Sequence, residues 1–284
     1  MKKMGTVSII GVGLIGGSLG AGIIRKHLAC NVMGVGRNGA RLKKAKEMRA
    51  VTACTTDIRR GVKDADMVVL AVPVLEINPM LERIAPFLKK GCIVTDVGSV
   101  KELIVARAEK TFEGKNVSFV GAHPMAGSEK AGIRNARAGL FEGTTCIITP
   151  TKNTCGPALE TVRKIWNGMG ASIMMLAPAE HDSLVAFVSH LPHILAFSLA
   201  EVIEKRRHAR QAIAGGFRDM TRIAESSPAL WAEICVANRK HILDSIGTFE
   251  KSTDAVKKLI LRGRKESLFN KFKKGKESRK RLVK

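Results

Sequence analysis

VSIIGVGLIGGS, running from Val7 to Ser18, joins an apolar run to a helical pattern through Gly11-x-Gly13-x-x-Gly16. Such a junction cradles a pyrophosphate. Gly11 makes the tight turn, Gly13 lets the backbone approach the phosphates, and Gly16 lets helix pack on strand. The start of the helix then offers unpaired N–H groups to the anion. A second apolar run, Asn31 to Val35, follows at the spacing of a β-α-β unit. Leu14 and Ile15 within the loop complete this candidate dinucleotide site, together with Val72 and Pro73 at the end of a later run, Met67 to Val72.

Outward from this loop, strand-like runs continue at Ile93–Val97, Ser118–Gly121, Thr145–Thr149 and Ala171–Leu176. Amphipathic segments lie between them at Leu14–Leu28, Arg41–Arg49, Glu76–Phe87, Val100–Thr111 and Pro157–Met169. Alternation of this kind predicts an α/β domain with a mostly parallel sheet covered by helices. After Ala177 strand-like runs stop, and a long apolar-periodic segment begins at PAEHDSLVAFVSHLPH. An all-helical second domain is expected there, giving domains at 1–176 and 177–284. Pro178 suits a first helical turn, whereas Pro192 predicts a kink near His190 to His193. Further helices are expected at Ala209–Ala214, Pro228–Leu243 and Ile246–Leu261.

The chain has 284 residues and a net charge of +23. Much of that charge sits after Lys251, in a stretch ending KFKKGKESRKRLVK. Such a run reads as a solvated helix end or a disordered tail. Phe269 and Phe272 are its aromatics and the chain has no tyrosine, so a stacking platform for single strands is lacking. Nucleic acid is therefore not expected as the main partner. No apolar run reaches the 18 or so residues of a membrane span, and no secretory leader pattern opens the sequence, so a cytoplasmic protein is expected. Cysteines 30, 54, 92, 146, 155 and 235 lack metal or disulfide spacing and read as small core residues. No metal site is expected.

At the end of the second run, the place of an acidic ribose ligand falls on Gly36, followed by Arg37. Arg37 could stack on adenine or meet a 2′-phosphate, so the residues leave NAD and NADP both open. Three motifs lie where open α/β sheets and their partner domains place ligands. DVGSVK carries Ser99, which could act at the site or simply cap the following helix. GAHPMAGSE carries His123 at a strand end, with Ser128 beyond. In the helical half, His190 and His193 share a helix face if the helix survives Pro192, and GGFRDMTRIAESSPALW brings Arg218, Asp219, Arg222 and Ser226. Imidazole donors and a guanidinium could grip a carboxylate, although an exposed helical ion pair would use the same arginines.

In this order and spacing, GVGLIGGS, DVGSVK, GAHPMAGSE, VSHLPH and GGFRDMTRIAESSPALW resemble the prephenate and arogenate dehydrogenases, from about Val7 to Phe249. The resemblance implies a Rossmann-like N-terminal domain, a helical C-terminal domain that dimerises, and an active site in the cleft between the two. It implies oxidative decarboxylation of prephenate to 4-hydroxyphenylpyruvate, with hydride transfer to NAD or, with NADP, the arogenate alternative. His123 is then the implied base, with Ser99 hydrogen-bonded to the same hydroxyl or to His123. Arg222 is the carboxylate-binding arginine and Asp219 its orienter, while His193, His190, Ser128 and Ser226 line the pocket. A homodimer with a small-molecule substrate follows. Two rivals remain: a β-hydroxyacid dehydrogenase using a helical lysine such as Lys240, and a nucleotide-sensing protein whose basic tail meets nucleic acid.

Overall fold

A computed structural model describes residues 3–127 and 130–283. The first of two compact units extends from the N-terminus to Arg239, and the second begins at Lys240. In chain order the first unit opens with β1 (Met4–Ile10), α1 (Leu14–Arg25), β2 (Ala29–Val35), α2 (Gly39–Glu47), β3 (Ala53–Thr55) and α3 (Ile58–Val62). It continues with β4 (Met67–Leu70), α4 (Val74–Ile84), β5 (Cys92–Asp96), α5 (Glu102–Phe112) and β6 (Val117–Pro124). β7 (Thr145–Thr149), α6 (Gly156–Gly168) and β8 (Ser172–Met175) complete the sheet.

The strand order is β3-β2-β1-β4-β5-β6-β7-β8. β1 to β6 are mutually parallel, β7 runs antiparallel to β6, and β8 is parallel to β7. Side chains alternate across the sheet, because successive Cβ atoms of a strand point to opposite faces. Val7, Ile9, Met67 and Val69 join the core with Leu19, Ile23 and Trp166 on one face. Ile10, Val68 and Leu70 join Ile77, Leu81 and Ile104 on the other. Both faces are thus buried, which is why these strands read as continuous apolar runs rather than alternating ones. The β3 strand and the α3 helix escaped the sequence reading, since three and five residues carry too little periodicity.

Helices take over after β8: α7 (Pro178–Val185), α8 (Leu191–Glu204), α9 (Ala209–Ala212), α10 (Gly215–Thr221) and α11 (Pro228–Ala237). Between α7 and α8 a π-helical turn spans Ala186–His190, at the place where Pro192 predicted a kink. Pro192 has no N–H for the carbonyl four residues back, and the wide turn accommodates that loss. Pro178–Glu204 is long and apolar enough to cross a membrane by length and composition. It nevertheless buries His181, Asp182 and His190, which face protein partners rather than lipid.

The expected helices Pro228–Leu243 and Ile246–Leu261 need correction. The break falls earlier, at Asn238, between α11 and α12 (Arg239–Leu261), because the Asn238 side chain is drawn into polar contacts described below. The basic tail forms α13 (Lys265–Leu282), which buries none of its residues. The reading of the cysteines as core residues also changes: Cys92 and Cys146 are buried, Cys54 and Cys235 are intermediate, and Cys30 and Cys155 are exposed.

Candidate active site

The glycine loop has the shape its sequence predicts. Gly11 takes φ +95°, and a Cβ there would lie 2.3 Å from the Ala71 carbonyl oxygen. At Gly16 a Cβ would lie 2.2 Å from the Gly11 oxygen and 3.0 Å from Ile9 Cγ2, so helix and strand approach too closely for any side chain. Gly13 caps α1, and a Cβ there would meet nothing within 4 Å. That open space, beside Leu14 and Ile15 at the start of the helix, fits the pyrophosphate of a dinucleotide. Val72 touches the loop, its Cγ1 3.2 Å from the Gly11 Cβ position, and Pro73 caps α4. Arg37 is exposed beyond β2.

A contrast follows between two substitutions. Gly11→Ala is expected to cost about 1–3 kcal/mol of fold stability from its left-handed backbone alone, with more from the carbonyl contact. Gly13→Ala should leave the melting temperature near that of the parent while weakening dinucleotide binding, because its methyl group enters only the ligand's space. Thermal melts and calorimetric titration with NAD⁺ separate the two.

A cavity of about 420 Å³ gathers Ser99, His123, His190, His193, Arg222 and Ser226, with Trp231 in its wall. Four chain segments far apart in sequence thus deliver the side chains that the motifs singled out. His123 stands at the C-terminal end of β6, opposite Ile147 of β7. Ser99 follows β5. It does not cap α5: the amides of Lys101 and Glu102 are taken instead by the Asp182 carboxylate, at 2.7 and 2.9 Å. Asp219 is exposed and is not part of the cavity wall, and no ion pair joins it to Arg222 among the described residues, so the expected orienting contact is not seen. Ser128 lies outside the described residues.

Behind the cavity is a polar chain that sequence reasoning missed. His123 Nδ1 is 2.8 Å from His181 Nε2, and His181 Nδ1 is 2.7 Å from Asp182 Oδ1. Asn238 donates from Nδ2 to the Asp182 carbonyl at 2.8 Å and lies 3.1 Å from His190 Nδ1. His193 stacks on Trp231 at 3.8 Å between centroids, and its Nδ1 donates to the Ser189 carbonyl at 2.8 Å. Beneath them Lys101 Nζ pairs with Asp96 Oδ2, both fully buried.

Burial dominates the electrostatics. It holds His123 well below the ordinary imidazole value, helped by the neighbouring His181, Lys101 and His190. His190 is brought down to about 4, again chiefly by burial. His181 and His193 are lowered for the same first reason, against the opposing pull of Asp182 on His181 and of the Ser189 carbonyl on His193. Burial also pushes the Asp182 carboxyl up, but His181 and the amides of Glu102 and Lys101 outweigh it and leave the group below the usual range. At neutral pH the site therefore presents uncharged imidazoles near one guanidinium. A neutral ring can accept a proton, and a guanidinium can bind a carboxylate.

A Rossmann-type sheet with a glycine-rich anion loop, followed by helices that complete an imidazole-lined cavity, defines a nucleotide-dependent dehydrogenase. The nucleotide-binding domain model of prephenate dehydrogenase matches residues 19–175, and its dimerization domain model matches 177–274. This chain belongs to the prephenate dehydrogenase family. The Bacillus subtilis prephenate dehydrogenase is 34% identical over 279 residues, which are 96% of this chain and 75% of that one. The prephenate dehydrogenase of A. aeolicus, solved with hydroxyphenyl propionate and NAD⁺, superposes with a TM-score of 0.92 at 33% identity over 99% of both chains. The Synechocystis arogenate dehydrogenase gives a TM-score of 0.85 at 29% identity, covering 98% of this chain and 100% of its own.

Proposed function

We propose that this chain oxidatively decarboxylates prephenate to 4-hydroxyphenylpyruvate with NAD⁺, as a homodimer in the route to tyrosine. The observation that carries this reading is the convergence of Ser99, His123, His193 and Arg222 on one cavity within a prephenate dehydrogenase fold. Gly11, Gly13 and Gly16, with the first amides of α1, would hold the dinucleotide, and Val72, Pro73 and Arg37 would flank it. Bound there, the nicotinamide supplies a hydride acceptor. The residues of the chain do the rest. His123 takes the proton of the ring hydroxyl as the hydride leaves the same carbon, departure of the ring carboxylate as CO₂ makes the ring aromatic, and the phenolate oxygen takes the proton back from His123. Ser99 orients that hydroxyl through a hydrogen bond, while Arg222 and His193 hold the side-chain carboxylate. His190 and Ser226 complete the wall.

The dimerization-domain match supports the homodimer. Exposed Phe187, Val188 and Val202 on the long helix give it an apolar surface to bury. Six free cysteines, two of them exposed, fit a reducing cytoplasm. The β-hydroxyacid alternative fares worse, because it would leave the cavity's histidines without a role.

The test is nicotinamide reduction at 340 nm with prephenate or arogenate crossed against NAD⁺ or NADP⁺. Prephenate with NAD⁺ should turn over fastest. Faster turnover of arogenate would move the assignment to arogenate dehydrogenase, and failure of all four pairs would end the reading. In the active pair, Arg222→Ala should raise KM roughly 10- to 100-fold, the cost of a lost charge-assisted hydrogen bond, with kcat changed far less. An unchanged KM would remove Arg222 from the substrate site.

A further inference from the structure

The polar chain behind His123 can be assigned proton by proton. Asp182 accepts the Lys101 amide on Oδ1 and the Glu102 amide on Oδ2, so it stands as an ionised acceptor at the head of α5. His181 Nδ1, at 2.7 Å from Oδ1, must then be the donor. A neutral ring that carries its proton on Nδ1 has a bare Nε2. That bare nitrogen faces His123 Nδ1 at 2.8 Å, so His123 must donate to it, and the lone pair of His123 is left on Nε2.

We propose that His181 and Asp182 are positioning residues that fix the His123 tautomer, through contacts of 2.7 Å from Asp182 to His181 and 2.8 Å from His181 to His123. This rests on the reading of His123 as the base. In the reaction the substrate O–H bond breaks and an N–H bond forms at His123 Nε2, with the electron pair remaining on oxygen. The new positive charge then lies two hydrogen bonds from the Asp182 carboxylate, which stabilises it. No second proton needs to move. Burial keeps both rings uncharged beforehand, so the lone pair is available at neutral pH. The arrangement extends by one imidazole the familiar logic in which a buried carboxylate selects the tautomer of a catalytic histidine.

Two variants of similar volume test it. His181→Leu fills the space but can neither accept from His123 nor donate to Asp182, whereas His181→Gln can do both through Oε1 and Nε2. Ring nitrogen NMR on the ligand-free protein should find His123 protonated on Nδ1 in the parent and in His181→Gln, and no longer held in that form in His181→Leu. With prephenate and NAD⁺, His181→Leu should lose roughly 10²- to 10⁴-fold in kcat at little change in KM, and His181→Gln should recover most of it. If the Leu variant does not fold, Asp182→Asn gives the same reading, because its amide can turn a donor toward His181 Nδ1 and reverse the chain. A parent protein with the proton on His123 Nε2 overturns the proposal. Equal loss of kcat in the Leu and Gln variants, the mark of a packing role, overturns it too. A shifted tautomer with kcat intact would uphold the assignment and instead remove His123 as the base.

Discussion

His123→Asn lowers kcat by roughly 10²- to 10⁴-fold with prephenate and NAD⁺, the usual contribution of a general base. Asparagine keeps much of the shape and can still donate toward His181, so the fold and KM should stay close to those of the parent. What it lacks is a nitrogen that can take a proton. The pH profile sharpens the test. A base must be uncharged to act, and burial with neighbouring His181, Lys101 and His190 holds the His123 imidazole well below its ordinary value. Activity of the parent should therefore persist as pH falls through 6.5, the ordinary imidazole value. The acid limb should appear only lower, and in His123→Asn the limb owed to this group should vanish along with the rate. A variant that keeps parental kcat, or a parent whose acid limb sits above the ordinary imidazole value, would remove His123 from the role of base.

How far the site could be read from sequence depends on whether its chemistry is local. The Gly11, Gly13 and Gly16 spacing is legible because one continuous strand-loop-helix turn carries all three, although the backbone that crowds Gly11 comes from Ala71 beyond β4. His123 and Ser99 stand out because strand ends expose reactive groups, whereas His193 and Arg222 stand out through helical motifs whose roles the family resemblance supplies. His181 and Asp182 lie in a stretch that reads only as the start of a helix. Their meaning comes from a contact across 58 residues to β6, which no spacing encodes. Asn238 was hidden for a similar reason, since its role is to reach 56 residues back to Asp182, and it breaks a helix that periodicity alone would have run through. Sequence proximity also misled. Asp219 is three residues from Arg222, but α10 ends at Thr221 and a 3-10 turn follows, so the two do not pair. Ser99 has the composition of a helix cap, yet the distant Asp182 took that role and left its hydroxyl on the cavity.

Asp96→Ala should destabilise the fold by about 3–5 kcal/mol, the cost of leaving one member of a buried ion pair alone. The side chains of Asp96 and Lys101 are both fully inaccessible. Asp96 also accepts the Gly98 amide at 2.9 Å and the Ala122 amide at 3.3 Å, tying the ends of β5 and β6 together directly beside His123. Removing the carboxylate therefore strands an ammonium and two amides in a region that water does not reach. Lys101→Met should fall in the same range, because it strands the carboxylate instead. The double variant Asp96→Asn with Lys101→Met leaves no buried charge and keeps an amide oxygen for a backbone N–H, so most of the loss should be recovered. Urea denaturation of the parent, Asp96→Asn, Lys101→Met and the double variant measures this cycle, with Asp96→Ala as the full truncation beside it. Single variants within about 1 kcal/mol of the parent would mean that water or a rearranged side chain satisfies the survivor. Recovery of stability in the double variant with kcat still depressed would give the pair its purpose. A charged pair contributes little net stability over an uncharged replacement, so that result would assign the pair to holding the strand end that carries His123.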